Sequence, residues 1–185
     1  MDQAYLSYQS SFIDKCIAKG RDKIYDKMCK QIDLENIKSI LDIGITADRQ
    51  HCHSNFFENK YPYPDRITAL SDQDASWIEQ AIPGIRFVQG NGKNLPFSDN
   101  QFDFVFSSAV LEHVGNNQEQ KKFLAEAFRV SSKYILITTP NRWYPMEFHS
   151  LVPLLHWLPN KYFYAVLKRL GKLELANENC LNLCN

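Results

Sequence analysis

The sequence carries no excess charge of either sign, with 21 lysines and arginines against 21 aspartates and glutamates. No bulk field therefore draws the chain to nucleic acid or to an acidic membrane. It has no apolar run near the ~20 residues that a bilayer span needs. Its start, Met1-Asp2-Gln3-Ala4-Tyr5, lacks the basic-then-apolar pattern of a secretory leader. The five cysteines (Cys16, Cys29, Cys52, Cys180 and Cys184) are odd in number and include no CxxC pair. They read as reduced thiols, and the expected location is cytoplasmic. There is no internal repeat and no low-complexity linker.

What is present is ordinary globular material, 44% hydrophobic and 23% charged, in 185 residues. That length supplies one full core and is short for two domains. The most ordered stretch runs from Asn94 to Val114. Pro96 and the run Ser98-Asp99-Asn100 form a turn. Phe102 to Ala109 is almost wholly apolar, the pattern of a strand buried on both faces of a parallel sheet. The chain leaves it through Val110-Leu111-Glu112-His113-Val114, a carboxylate beside an imidazole. A strand that ends this way belongs to an α/β sheet whose strand ends hold a ligand.

The remaining segments alternate. Ser10 to Ile32 has the periodicity of an amphipathic helix, expected to pack or to act as a lid, with Gly20 loosening its middle. Ser39 to Gly44 is a buried strand ending in Asp42 and Gly44, where such sheets bind ligands. The second and third glycines of GxGxxG are absent after Gly44, so a plain strand-to-turn stays open as a reading. His51-Cys52-His53 lacks zinc spacing and reads as a polar loop. Ile67-Leu70 and Ile85-Gln89 are short strands, with a helical stretch from Ala75 to Ile82 between them. Asn116 or Asn117 caps a helix whose buried stripe is Phe123, Leu124, Ala127 and Phe128. Lys133 to Thr139 is the fifth strand. An aromatic loop then runs from Trp143 to His149, followed by two apolar helices at Leu151-Leu158 and Tyr162-Leu170. Strands alternating with helices make a doubly wound, Rossmann-like, mostly parallel α/β sheet of about five strands flanked by helices.

With these residues in order, the sequence resembles the class I S-adenosylmethionine-dependent methyltransferases, in particular the ubiquinone-type group (methyltransferase type 11). The carriers are Ile40-Leu41-Asp42-Ile43-Gly44, Leu95-Pro96-Phe97 with Phe102-Asp103, Val110-Leu111-Glu112-His113-Val114, and Thr138-Thr139-Pro140-Asn141-Arg142-Trp143. The resemblance implies S-adenosylmethionine as cofactor and methyl transfer to a small-molecule acceptor. It implies one domain over 1–185: an N-terminal helix (1–35), a cofactor-binding core (36–140), and the aromatic loop with C-terminal helices (141–185). Asp42 and Gly44 would lie against the methionine part. Ser71, with Asp72 beside it, takes the position of the acid that grips the ribose. Asn91, followed by Gly92, takes that of an aspartate bonding the adenine amino group. Ser107 to Ala109 would offer backbone groups to the amino-acid end.

His113 and His149 are candidate general bases, needed only if the acceptor arrives protonated. The family's metal-binding relatives use an earlier acid where this chain has Ala109, so no metal is expected. The family's last two strands have no counterpart here, so the expectation is either a C-terminally truncated form or a homodimer in which a second copy covers the open sheet edge. Two other readings remain. One is a methyltransferase-like module without turnover that acts as a binding or assembly partner. The other is a nicotinamide-binding domain, disfavoured by the missing glycines.

Overall fold

The computed structural model describes residues 11–49, 55–139, 157–158 and 160–171. His149, His51-Cys52-His53, the aromatic loop and the expected helix at 151–156 lie outside them. Helix α1 (Ser11–Gln31) leads into strand β1 (Ile40–Ile43). The chain continues through α2 (Phe56–Lys60), β2 (Ile67–Ser71), α3 (Ile78–Ala81), β3 (Arg86–Gln89), β4 (Phe102–Ser108), α4 (Asn117–Val130), β5 (Ser131–Thr138) and α5 (Asn160–Arg169). The strands form one sheet in the order β3-β2-β1-β4-β5, and every neighbouring pair is parallel. All five therefore end on the same side, and the order reverses between β1 and β4. The expected doubly wound α/β sheet is thus the fold observed.

Alternation along β1 divides the core. Ile40 faces a cluster with Met28 of α1, Phe56 and Phe57 of α2, and Phe104 and Phe106 of β4. Leu41 and Ile43 face Phe123, Ala127 and Val130 of α4. All four β1 residues are buried, as expected of a strand covered on both faces. A register shift between Phe102 and Phe104 lets Phe102 join the α4 side while Phe104 faces α2.

Three sequence expectations are corrected. The strand expected over Ser39 to Gly44 is shorter, Ile40–Ile43, and is preceded by a 3-10 turn at Leu34–Asn36. The helical stretch from Ala75 to Ile82 shrinks to Ile78–Ala81. Phe128 is not in the buried stripe of α4: it is 66% exposed. At about 100° per residue it sits some 140° around the helix from Phe123, whereas Val130 falls close to Phe123 and is buried.

Asn116 caps α4 by accepting from the Gln118 and Glu119 amides at 3.0 and 3.2 Å. Near the other end of α4, Arg129 holds the loop before β4. Its Nη1 donates to the Phe97 carbonyl at 2.7 Å and to Asp99 at 2.9 Å. Its Nη2 donates to the Leu95 carbonyl at 3.0 Å, and Glu126 buttresses both Nε and Nη2 at 2.8 Å. These ion pairs hold the Glu126 carboxyl below its usual range and the guanidinium above its own. Lysine cannot reproduce a fork of this geometry. Arg129→Lys is therefore expected to lower the melting temperature by several degrees. An unchanged melting curve would show that the loop is held by something else.

Gly20 lies mid-helix in α1, and a Cβ there would meet nothing within 4 Å. Gly20→Ala is expected to stabilise by about 1 kcal/mol, through helix propensity and a less disordered unfolded chain. Urea denaturation reads this as a higher midpoint at unchanged slope.

Candidate cofactor site at the strand ends

The candidate residues collect at the carboxyl ends of the parallel strands because the sheet is parallel, although they are far apart in sequence. Asp42 and Gly44 follow β1, Ser71 and Asp72 follow β2, and Asn91 and Gly92 follow β3. Ser107 and Ala109 close β4, and His113 sits in the 3-10 turn Leu111–His113 beyond it. The reversal of strand order lies between Asp42 and Ser107, the place where open α/β sheets form a ligand crevice.

Asp42 differs from expectation in what it touches. It is 5% exposed and shares a hydrogen bond with Glu58 of α2, which is 2% exposed. Sequence reading assigned Glu58 no role. Burial pushes both carboxyls up, Asp42 the further because Glu58 stands beside it. Two carboxyls in one dry place cannot both ionise easily. Arg21 of α1 acts on Glu58 from the side, with its guanidinium 5.6 Å from the centroid of the Phe56 ring. The first helix thus contributes a cation to the site as well as a packing face. The Oε1 atom of Glu58 takes no hydrogen bond among the described residues.

Gly44 has φ +96°, and its amide donates to the Leu70 carbonyl at 2.7 Å. A Cβ there would stand 2.3 Å from Cγ2 of Val110. The glycine is thus required by the close approach of the β4 exit, whereas the sequence left a ligand role and a plain strand-to-turn both open. The loop after it needs no further glycines, because side chains hold it. Asn55 accepts from the Thr46 amide at 2.9 Å and donates to the Thr46 carbonyl at 3.0 Å. Trp77 donates to the Ala47 carbonyl at 3.2 Å, and Arg49 lies over the Trp77 ring. A lone asparagine in a loop gave no signal in the sequence; its φ of +53° is visible only in the fold.

Ser71 is buried and accepts from the Gln73 amide at 3.3 Å, while Asp72 is exposed. Asn91 is exposed, and its side-chain oxygen already accepts from the Lys93 amide at 2.9 Å. Gly92 packs against Phe123, where a Cβ would come within 2.7 Å. Ser107 is buried and donates to the Ile43 carbonyl at 2.8 Å, so its hydroxyl ties β4 to β1. Ala109 is exposed at φ +57°, an uncommon conformation for alanine, and its amide donates to the Thr138 carbonyl at 2.9 Å. His113 is half-buried, and Glu112 beside it is fully buried. Gln120 of α4 donates to the Leu111 carbonyl at 3.1 Å and fixes that turn. Among the described residues no three His, Cys, Asp or Glu side chains gather as a metal would require.

Residues 42–134, half of the chain, match the model of the methyltransferase domain family, type 11. The chain belongs to that family. It is 31% identical over 103 residues to the ubiquinone/menaquinone biosynthesis C-methyltransferase UbiE of Bartonella bacilliformis, covering 55% of this chain and 36% of that protein. The mitochondrial 2-methoxy-6-polyprenyl-1,4-benzoquinol methylase of Dictyostelium discoideum is 31% identical over 98 residues, covering 52% of this chain and 28% of that one. The chain thus spans about a third of the length of these curated relatives. Among solved structures, the amino pentose methyltransferase CalS10 of Micromonospora echinaspora aligns with a TM-score of 0.51 at 16% identity, over 75% of this chain and 58% of that one. The PH0226 protein of Pyrococcus horikoshii aligns at 0.52 and 16%, over 75% and 64%. Both share the fold.

Proposed function

We propose that this chain binds S-adenosylmethionine at the ends of β1, β2, β3 and β4 and transfers its methyl group to a small-molecule acceptor. The observation that carries the reading is the buried acid Asp42 at the strand-order reversal, inside the segment that matches the family. The residues present fit such a cofactor. The buried carboxyls of Asp42 and Glu58, with Oε1 of Glu58 accepting no hydrogen bond among the described residues, suit a ligand carrying an ammonium and a sulfonium. The names of the relatives, which act in quinone biosynthesis, support a small acceptor.

In this proposal Asp42 and the Gly44 backbone hold the methionine part, Ser71 and Asp72 face the ribose, and Asn91 and Gly92 face the adenine. Ser107 positions the β4 exit so that the Ala109 backbone meets the amino-acid end. When bound, S-adenosylmethionine supplies a methyl group already activated by sulfonium charge, so the residues have to align the partners and exclude water. His113 stands on a fixed turn and would take a proton from a protonated acceptor; His149 is proposed for the same task. The proposal includes a single domain, a cytoplasmic location and no metal. The exposed free thiol of Cys29 supports a reducing compartment. No helix among the described residues is long and apolar enough to cross a membrane.

The proposal extends to a homodimer through β5. Among the described residues that strand is one of the two outer strands of the sheet, and Tyr134 on it is exposed. Beside it a groove of about 480 Å³ is lined by Leu124, Phe128, Ile135 and Ile137. An unpaired strand edge next to exposed apolar side chains invites a second copy. Sedimentation at micromolar concentration is expected to show a dimer that Phe128→Glu dissociates, and a monomeric wild type would refute it.

Calorimetric titration with S-adenosylmethionine, S-adenosylhomocysteine and NAD tests the main reading. Micromolar binding of the first two, absent for NAD and lost in Asp42→Ala, is expected. Failure of both sulfur ligands to bind overturns it.

A further inference from the structure

The Asp42–Glu58 pair holds more than the family resemblance assigns. Glu58 comes from a five-residue helix on the face opposite α4 and is held by its aromatic neighbours Phe56 and Phe57, which are buried in the core. It reaches Asp42, and one of its oxygens has no hydrogen bond among the described residues. Among the described residues, the charged groups acting on the pair are the two carboxyls themselves and Arg21 on α1. The residues flanking Asp42 in the sheet, Ala69 on β2 and Phe106 on β4, carry no charge. With one proton shared, the pair has a single negative charge and Arg21 balances it. A dry, neutral cluster of this kind is stable alone and has one proton to lose when a new cation arrives.

We propose that Glu58 is a positioning residue of the cofactor site, holding with Asp42 one shared proton that is released to solvent when the sulfonium-bearing cofactor binds. The inference rests on the reading that this site binds S-adenosylmethionine. Loss of the proton leaves both carboxylates ionised, with Arg21 and the incoming cation as their two counter-charges. The thioether product lacks the sulfonium charge and drives the release less, so the pair favours substrate cofactor over product by charge. Affinity for S-adenosylmethionine then rises with pH, by up to about tenfold per unit for one proton. Affinity for S-adenosylhomocysteine rises less, and because the two ligands share their amino-acid end, titration there cancels in the comparison.

The experiment is calorimetric titration of the full chain at one pH in two buffers of different ionisation heat. The observed heat for S-adenosylmethionine is expected to differ between the buffers by an amount reporting release of up to one proton, with a smaller difference for S-adenosylhomocysteine. In Glu58→Gln, titrated at the higher ligand concentration its weaker binding requires, the buffer dependence should vanish. Binding of S-adenosylmethionine without buffer dependence, or an unchanged proton count in Glu58→Gln, overturns the inference and leaves the cofactor reading standing. A second measurement needs no ligand and compares the wild type with Glu58→Gln. Both carboxyls are raised by burial, so the folded protein holds more protons than the unfolded chain in the window above the ordinary carboxylate range. Stability contributed by the pair is therefore largest at low pH and declines as pH rises towards neutrality. A Glu58→Gln variant that folds and keeps the full wild-type pH profile of ligand-free melting temperature would refute the shared proton even if no ligand bound. The lowered carboxyls such as Glu126 contribute equally to both proteins and cancel in the difference.

Discussion

Gly44→Ala is expected to abolish cofactor binding and to destabilise the chain by about 2 to 5 kcal/mol, the sum of backbone strain and overpacking. Two separate forces produce this. Gly44 has φ +96°, where an L side chain is strained in any surroundings. Its missing Cβ also faces Val110, with Cγ2 at 2.3 Å and Cγ1 at 2.9 Å from where the new atom would stand. The loop cannot slide away easily, because the amides of Gly44 and Ile45 both donate to the Leu70 carbonyl, at 2.7 and 3.2 Å. Either β1's end or the β4 exit has to move, and the proposed crevice lies between them. The double variant Gly44→Ala with Val110→Ala separates the two forces. It relieves the crowding and keeps the dihedral strain, so it should recover part of the stability. Chemical denaturation gives the first number and calorimetry the second. Wild-type affinity in Gly44→Ala would show that this turn does not shape the site.

The sheet was legible because each strand carries its own signal. Phe102 to Phe106 is apolar at four of its five positions, and the strand observed there has the expected length to within a residue. The cap at Asn116 was legible for a similar local reason. The strand ends that hold Asp42, Ser71 and Ala109 follow once the sheet is known to be parallel. The partners of those residues were not legible. Arg21, Asp42 and Glu58 meet from α1, β1 and α2, and none has a spacing that announces the meeting. Glu58 follows two phenylalanines whose burial drags it inward, and a charged residue after an apolar pair reads more naturally as the exposed side of a short helix. The same limit hid Asn55, which does with side-chain hydrogen bonds what glycines do in a GxGxxG loop. Phe128 failed in the opposite sense: its apolar character suggested burial, while helix geometry turned it out beside the outer strand.

Phe57→Ala is expected to remove about 3 to 5 kcal/mol of stability, a large share of the ~5–15 kcal/mol that holds a domain of this size. Phe57 is fully buried, stacked on Tyr61 at 5.4 Å between ring centroids and tilted against Phe106 at 4.9 Å. It also meets Phe104 edge-on at 6.2 Å and Tyr25 of α1 at 6.3 Å, so one ring joins α1, α2 and β4. Truncation would leave a cavity walled by rigid rings, which collapse poorly, and that places the cost towards the upper end of the range. Phe57→Leu keeps most of the volume and should cost less than half as much. Urea denaturation at constant slope gives both values, and a loss below about 1 kcal/mol for alanine would mean the ring is not the joint described. Because Glu58 is the next residue on the same short helix, loosening Phe57 should also let water reach the carboxyl pair. The pH dependence of ligand-free stability should flatten in Phe57→Ala although no titrating group has been removed. That coupling follows from packing alone, since the dryness that keeps one proton on Asp42 and Glu58 is made by the phenylalanine beside them.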